Sequence, residues 1–276
     1  MARWSMIPFT GLVACFLLLA PPPARAQKDN KHSSGKAGAL DGKQIMERVE
    51  DRDDGRDQIS TVTLEIHPKQ GAKRLRRFVL LRKEFDRLTK LVTFFMAPTD
   101  VRDSAFLVWD RRGGDDQRWL YLPAIGQVRR LAVDDDRRSF FGSDFVYEDM
   151  TNRDPELDHH KLVGTQKVDS WDCWVVESTP KNGRGLDFVR YRSWVWKEGL
   201  LPVRQEYQDA SGEVIRRWQS HDLQKVQGIW TWHRTSMSNL VTGSRSRIEI
   251  GEVKYNAGVP DQRFAENQLS RGVPKD

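Results

Sequence analysis

From Ile59 to Val253 the chain alternates. Val62, Leu64 and Ile66 are separated by Thr63 and Glu65, and Leu75, Arg77, Val79 and Leu81 keep the same period. Leu91, Thr93 and Phe95 continue it. A period of two sends successive side chains to opposite faces of an extended strand, which a helix with its period of 3.6 cannot do. The pattern recurs as far as Arg245–Val253. Its segments are separated by turn chemistry such as Arg112-Gly113-Gly114-Asp115, Lys181-Asn182-Gly183, Asp209-Ala210-Ser211-Gly212 and Val226-Gln227-Gly228. About eleven short strands at regular spacing predict an antiparallel meander that curls into a barrel or half-barrel.

What precedes the strands has other periods. Leu40, Ile45, Met46 and Val49 are spaced for one helix over residues 40–52, opened by Asp41. Gln27–Ala39 is polar and rich in Gly, Ser and Lys, and reads as a disordered leader. Ahead of it, Arg3, the apolar run Met6–Ala20 and the small-residue exit Ala24-Arg25-Ala26 predict a secretory signal peptide cut after Ala26. Leu12-Val13-Ala14-Cys15 has the form of a lipobox, but Phe16–Leu19 carry the apolar run past Cys15, so a lipid anchor there is not expected. Cleavage leaves 250 of the 276 residues. They divide into a single β domain over 40–256 and a tail over 257–276 with little pattern.

The expected mature chain keeps one of the two cysteines, Cys173, so it forms no internal disulfide and must be held by its core. Trp171-Asp172-Cys173-Trp174 places that cysteine in a strand as a small buried hydrophobe. Nine of the ten Trp follow the signal segment, which holds only Trp4. The formal net charge of +6 suits anionic neighbours such as lipid headgroups. Nucleic acid is not expected for an exported chain whose cations alternate with acids. No later apolar run approaches the ~20 residues of a membrane helix.

Aromatic residues fall in same-face pairs: Trp119 with Tyr121, Trp194 with Trp196, Trp230 with Trp232. Such pairs build either a core of large residues or a wide concave surface. Ser139–Met150, SFFGSDFVYEDM, concentrates further chemistry. Ser143 beside Asp144 could begin a hydrolase site, but the G-x-S-x-G elbow is absent, and His159, His160, His221 and His233 have no spacing that ties them to it. The structural reading is a short helix capped by Ser143 or Asp144, with Phe141 and Phe145 beneath it. His159-His160 beside Asp158 and Glu156, and the run Asp134–Asp136, lack metal-ligand spacing. No cofactor is expected.

Two blocks together carry a resemblance. Ala105–Leu131, through Trp109, Trp119, Tyr121, Pro123, Arg129 and Arg130, and Phe141–Met150, through Gly142, Ser143, Asp144, Phe145, Tyr147, Glu148 and Asp149, resemble the outer-membrane lipoprotein-sorting (LolA-like) family. The similarity is to its longer exported branch, often associated with resistance-nodulation-type transporters. Asp103-Ser104 departs from the small Gly-Thr pair expected there. The resemblance implies an incomplete antiparallel barrel with helices over its concave face, in a monomeric periplasmic carrier of lipid or lipoprotein cargo. An inner-membrane transporter and an outer-membrane acceptor would be its partners. On that basis Phe94, Phe106, Trp119, Tyr121, Trp194 and Trp230 are expected to line a groove. Phe141, Ser143, Asp144, Phe145, Tyr147, Glu148 and Asp149 are expected to form its lid, clamped by Arg129 and Arg130. A lipid-active hydrolase using Ser143 and a glycan-binding module are the alternatives.

Overall fold

A computed structural model describes residues 40–132, 135, 137–182 and 186–273. The expected signal peptide and leader lie outside the described residues. Helix α1 spans Gly42–Glu50. Asp41 caps it by accepting from the Gln44 N–H at 2.8 Å, and the Gln44 side chain returns the bond to the Asp41 N–H.

Thirteen strands follow among the described residues. They are β1 Asp57–His67, β2 Arg74–Phe85, β3 Leu88–Ala97, β4 Ala105–Arg111, β5 Gln117–Leu122, β6 Gln127–Arg130 and β7 Asp158–Val168. After these come β8 Trp171–Pro180, β9 Arg190–Trp196, β10 Leu201–Gln208, β11 Val214–Val226, β12 Ile229–Asn239 and β13 Ser244–Tyr255. The count exceeds the expected eleven. In β6 only Val128 is apolar, so no alternation marks that strand.

All thirteen form one curved, unclosed antiparallel sheet in the order β6-β5-β4-β3-β2-β1-β13-β12-β11-β10-β9-β8-β7. Two meanders, β1–β6 and β7–β13, are joined where β13 returns to pair with β1. The edges are therefore β6 and β7, consecutive in sequence but at opposite ends of the sheet. Residues 131–157 must travel from one edge to the other. This requirement of topology decides where the aromatic segment lies.

Register sorts the side chains into faces. On one face, Val62, Phe78, Phe95, Phe106, Val108 and Met237 join Phe140, Phe145 and Tyr147 of the crossing segment in one buried cluster. On the other, Leu81, Val92, Phe94, Leu107 and Trp119 are buried beneath Val259, Phe264 and Leu269 of the C-terminal residues. Two short 3-10 helices, Asp261–Phe264 and Glu266–Arg271, carry Phe264 and Leu269 there. Asp57 holds this last stretch in place, its carboxylate accepting from the backbone N–H groups of Ala257, Gly258 and Val259. Ile45, Met46 and Val49 of α1 pack against Val176 and Val195. At Gly42 an added Cβ would stand 2.7 Å from the Leu162 backbone nitrogen, so α1 lies directly on β7.

Candidate functional site

The sheet face crossed by residues 137–157 is the candidate site. Two 3-10 turns, Phe140–Gly142 and Tyr147–Met150, replace the single short helix expected from sequence. Phe141 sits at φ +49, between the φ of a right-handed turn and the Gly142 that follows at +78. That reversal puts both Phe140 and Phe141 toward the sheet. The Phe140 ring meets Phe78, Phe95 and Phe106 with centroids 6.1, 6.0 and 5.7 Å away. Phe141 lies on Phe95 at 3.9 Å, and Tyr147 on Phe106 at 4.9 Å. The segment fills the face with aromatic rings.

Polar anchors hold the segment at distant strands. Asp144 accepts from the hydroxyls of Ser244 and Ser246 on β13, the second at 2.6 Å, and its N–H donates to Ser246 Oγ at 2.9 Å. Arg74 of β2 donates to the Gly142 carbonyl at 3.1 Å. Arg216 of β11 donates to Asp149 at 3.0 Å and also reaches Asp187. Asp149 accepts from the Val146 N–H at 2.8 Å and so closes the second turn. Glu148 pairs with Arg153 at 2.6 Å. Arg153 in turn forks onto Asp158, whose buried carboxylate also accepts from Tyr191 Oη at 2.7 Å.

The clamp expected from sequence is thus corrected. Arg129 and Arg130 stand exposed on β6, Arg130 with its guanidinium 6.0 Å from the Trp119 ring. The acids of the segment instead meet Arg153, Arg216 and two serines. They do so because the segment has already left the β6 edge when it reaches Asp144. Neither Ser143 nor Asp144 opens a helix as its N-cap; Ser143 closes the Phe140–Gly142 turn, its Oγ donating back to the Phe140 carbonyl at 2.7 Å.

The expected groove residues are also divided. Register pairs Phe94 with Ala105 and Thr93 with Phe106, so Phe94 and Phe106 occupy opposite faces. Phe94, Trp119 and Tyr121 lie beneath the C-terminal residues, and Phe106 beneath the crossing segment. Trp194 and Trp230 belong to a separate cluster with Cys173, Val175, Trp196 and Val203. Phe94 and Phe106 are 1% and 0% exposed, so no open groove runs along either of them. The larger of two described cavities, ≈ 360 Å³, is an open depression beside Thr63, Leu75, Arg77, Ala97 and Pro98, away from the crossing segment.

Catalytic geometry does not assemble at Ser143. Its hydroxyl lies within hydrogen-bond reach of the Phe140 and Phe145 carbonyls alone. The histidines are engaged elsewhere: His160 with Ser178 and the Pro155 carbonyl, His221 with Ser236, and His233 with the Ile250 carbonyl. Among the described residues no group of three or more His, Cys, Asp or Glu side chains is arranged to hold a metal ion.

One charged site gave no sequence signal. The β4–β5 hairpin reaches the end of α1, where Arg112 pairs with Asp51 at 2.7 Å and the Gly113 N–H donates to Asp154 at 2.7 Å. Beside it, burial first, then the neighbouring Asp116 and Glu50, push the Asp110 carboxyl up to about 8. The fold accepts Asp110 protonated, so the folded state binds the proton that the unfolded chain has released. Stability therefore falls as pH rises from the ordinary carboxylate range through about 8, and levels off above it. Asp110→Asn is expected to raise the midpoint of denaturant unfolding at pH 9 and leave it nearly unchanged at pH 4. An equal gain at both pH values would contradict the assignment.

A family model described only as "uncharacterized protein" matches residues 87–271. The chain is similar in structure to a DUF1329 family protein from Desulfovibrio piger, with 30% identity over 83% of this chain and 97% of that one, at a TM-score of 0.78. It is equally close in structure, TM-score 0.78, to a protein described as an outer-membrane lipoprotein-sorting domain from Vibrio parahaemolyticus, with 27% identity over 83% of this chain and 98% of the other. A LolA superfamily protein from Nitrosomonas europaea shares the fold at a TM-score of 0.64 and 20% identity, over 83% of this chain and 99% of that one. No curated protein matches the chain in sequence.

Proposed function

Because this chain belongs to the DUF1329 family of LolA-like proteins, we propose that it is a periplasmic carrier of lipid or of lipoprotein acyl chains. The observation that carries the reading is the aromatic crossing segment. A sheet face lined by Phe78, Phe95, Phe106 and Val108 is covered not by another sheet but by a connection without strand pairing to it. Its polar anchors at Gly142, Asp144 and Asp149 reach strands β2, β13 and β11, and between them its hold on the face is the insertion of rings. A ring can be exchanged for an acyl chain of similar bulk, since both contribute by leaving water. An acyl chain gains ~0.8 kcal/mol for each methylene buried, so a long one binds well without polar recognition.

The carrier works as a monomer, passing cargo from an inner-membrane transporter to an outer-membrane acceptor. It needs no cofactor and makes no covalent intermediate. Ser143 supports the turn, and the Trp clusters support the sheet rather than a glycan platform.

Delipidated protein is expected to bind fluorescent fatty acids with micromolar or better affinity, and to give no comparable response to oligosaccharides. Binding of glycans without lipids would replace this reading. Ester cleavage that disappears only in Ser143→Ala would do the same.

A further inference from the structure

Large apolar side chains at a hairpin tip are costly to expose, and Leu240 and Val241 are 44% and 73% exposed. They form the turn between β12 and β13, which the Asn239 side chain shapes by accepting from the N–H groups of Val241 and Thr242. The β1–β2 turn lies alongside. β1 pairs with β13 up to His67–Arg245, and an added Cβ at Gly243 would stand 3.4 Å from Lys69 Cδ.

Charge in the residues of the two turns is one-sided, with the Asp144 carboxylate of the crossing segment reaching Ser244 and Ser246. Residues 66–77, IHPKQGAKRLRR, and 239–248, NLVTGSRSRI, hold seven Lys and Arg and no carboxylate. Three of these cations have acidic partners outside the two segments: Lys73 and Arg247 at Glu65, and Arg76 at Asp100. Arg74 is engaged with the Gly142 carbonyl. Lys69 and Arg77 are exposed. Arg77 and the 46% exposed Leu75 flank the open depression described above.

We propose that these two turns dock the protein on an anionic phospholipid bilayer. Leu240 and Val241 enter the headgroup–acyl boundary, while Lys69, Arg77 and their neighbours meet lipid phosphates. An apolar tip within a basic field is the pattern that binds such an interface, where neither part suffices alone. A protein partner of the same shape would need matched acids around an apolar pocket. A bilayer supplies both without specific register.

The inference does not depend on what the sheet face carries, and its test is separable from the carrier test. Purified protein is floated with vesicles of phosphatidylethanolamine and phosphatidylglycerol, and in parallel with phosphatidylcholine alone. Binding to the anionic vesicles is expected to be at least tenfold stronger, by roughly fivefold for each cation engaged, and to fall with added salt. Leu240→Ser with Val241→Ser, and separately Lys69→Glu, should each weaken it at least roughly fivefold, with fatty-acid binding unchanged. All these positions are exposed, and circular dichroism will confirm that the variants fold. Equal binding to both vesicles, or variants that float like the parent, would overturn the proposal. Flotation with neither vesicle would also overturn it.

Discussion

Arg216→Ala is expected to destabilise the protein by about 3–5 kcal/mol, the cost of stranding a buried carboxylate rather than the worth of the pair itself. The side chains of Arg216 and Asp149 are 5% and 11% exposed. Burial pushes the Asp149 carboxyl above its ordinary range, and Arg216 with the Val146 N–H pulls it back. Removing the guanidinium leaves only the Val146 N–H to oppose burial. It also removes the cation stacked 4.7 Å from the Tyr207 ring. Two measurements read the result. Urea unfolding should show the loss, and amide exchange over residues 140–150 should quicken more than exchange in β1 or β13. The double variant Arg216→Met, Asp149→Leu should lose less than Arg216→Ala, because no buried orphan charge remains and the Asp187 left behind is 41% exposed. A double variant as damaged as the sum of its singles would show that the pair is not coupled.

Phe140→Ala should cost a similar ~3–5 kcal/mol, for a different reason. The ring is fully buried and meets three sheet phenylalanines, its neighbour Phe141 and Tyr147. Its loss leaves a cavity beneath the segment that close packing on both sides cannot refill. The carrier reading adds a second signature. On that reading the crossing segment would compete with cargo for the same face, and apparent affinity would be reduced by the fraction of time the face is covered. Phe140→Ala should therefore bind fluorescent fatty acid more tightly while being less stable. Weaker binding in proportion to lost stability would mean that the segment supports the binding surface rather than occupying it.

Much of the fold was legible because strand alternation is local. Asp41 announced the helix cap, and Cys173 is the buried small hydrophobe its strand implied. What failed was everything that needed register. Alternation assigns a face only within one strand, so Phe94 and Phe106 looked equivalent until Ala105 was seen opposite Phe94. The clamp failed for the same reason. Arg129 and Arg130 are near Asp144 in the chain, whereas Ser246 and Arg216 are 102 and 67 residues from the acids they meet. No local pattern encodes such a pairing. Val259, Phe264 and Leu269 went unread because their spacing fits neither period.

The seam between β1 and β13 has a consequence for how the chain is made. A polypeptide emerging N-terminus first presents β1 almost immediately, but β1's partner on that side is Ser244–Tyr255, near the other end. Until those residues arrive, the first meander carries an unpaired edge strand with Val62, Leu64 and Ile66 on one side, a template for wrong pairing. Closing the seam also requires a loop of nearly the whole domain, which slows the final step. Maturation is thus all or nothing at the last stretch of chain. A nascent product stopped before Ser244 would depend on a chaperone to keep that edge from joining another molecule.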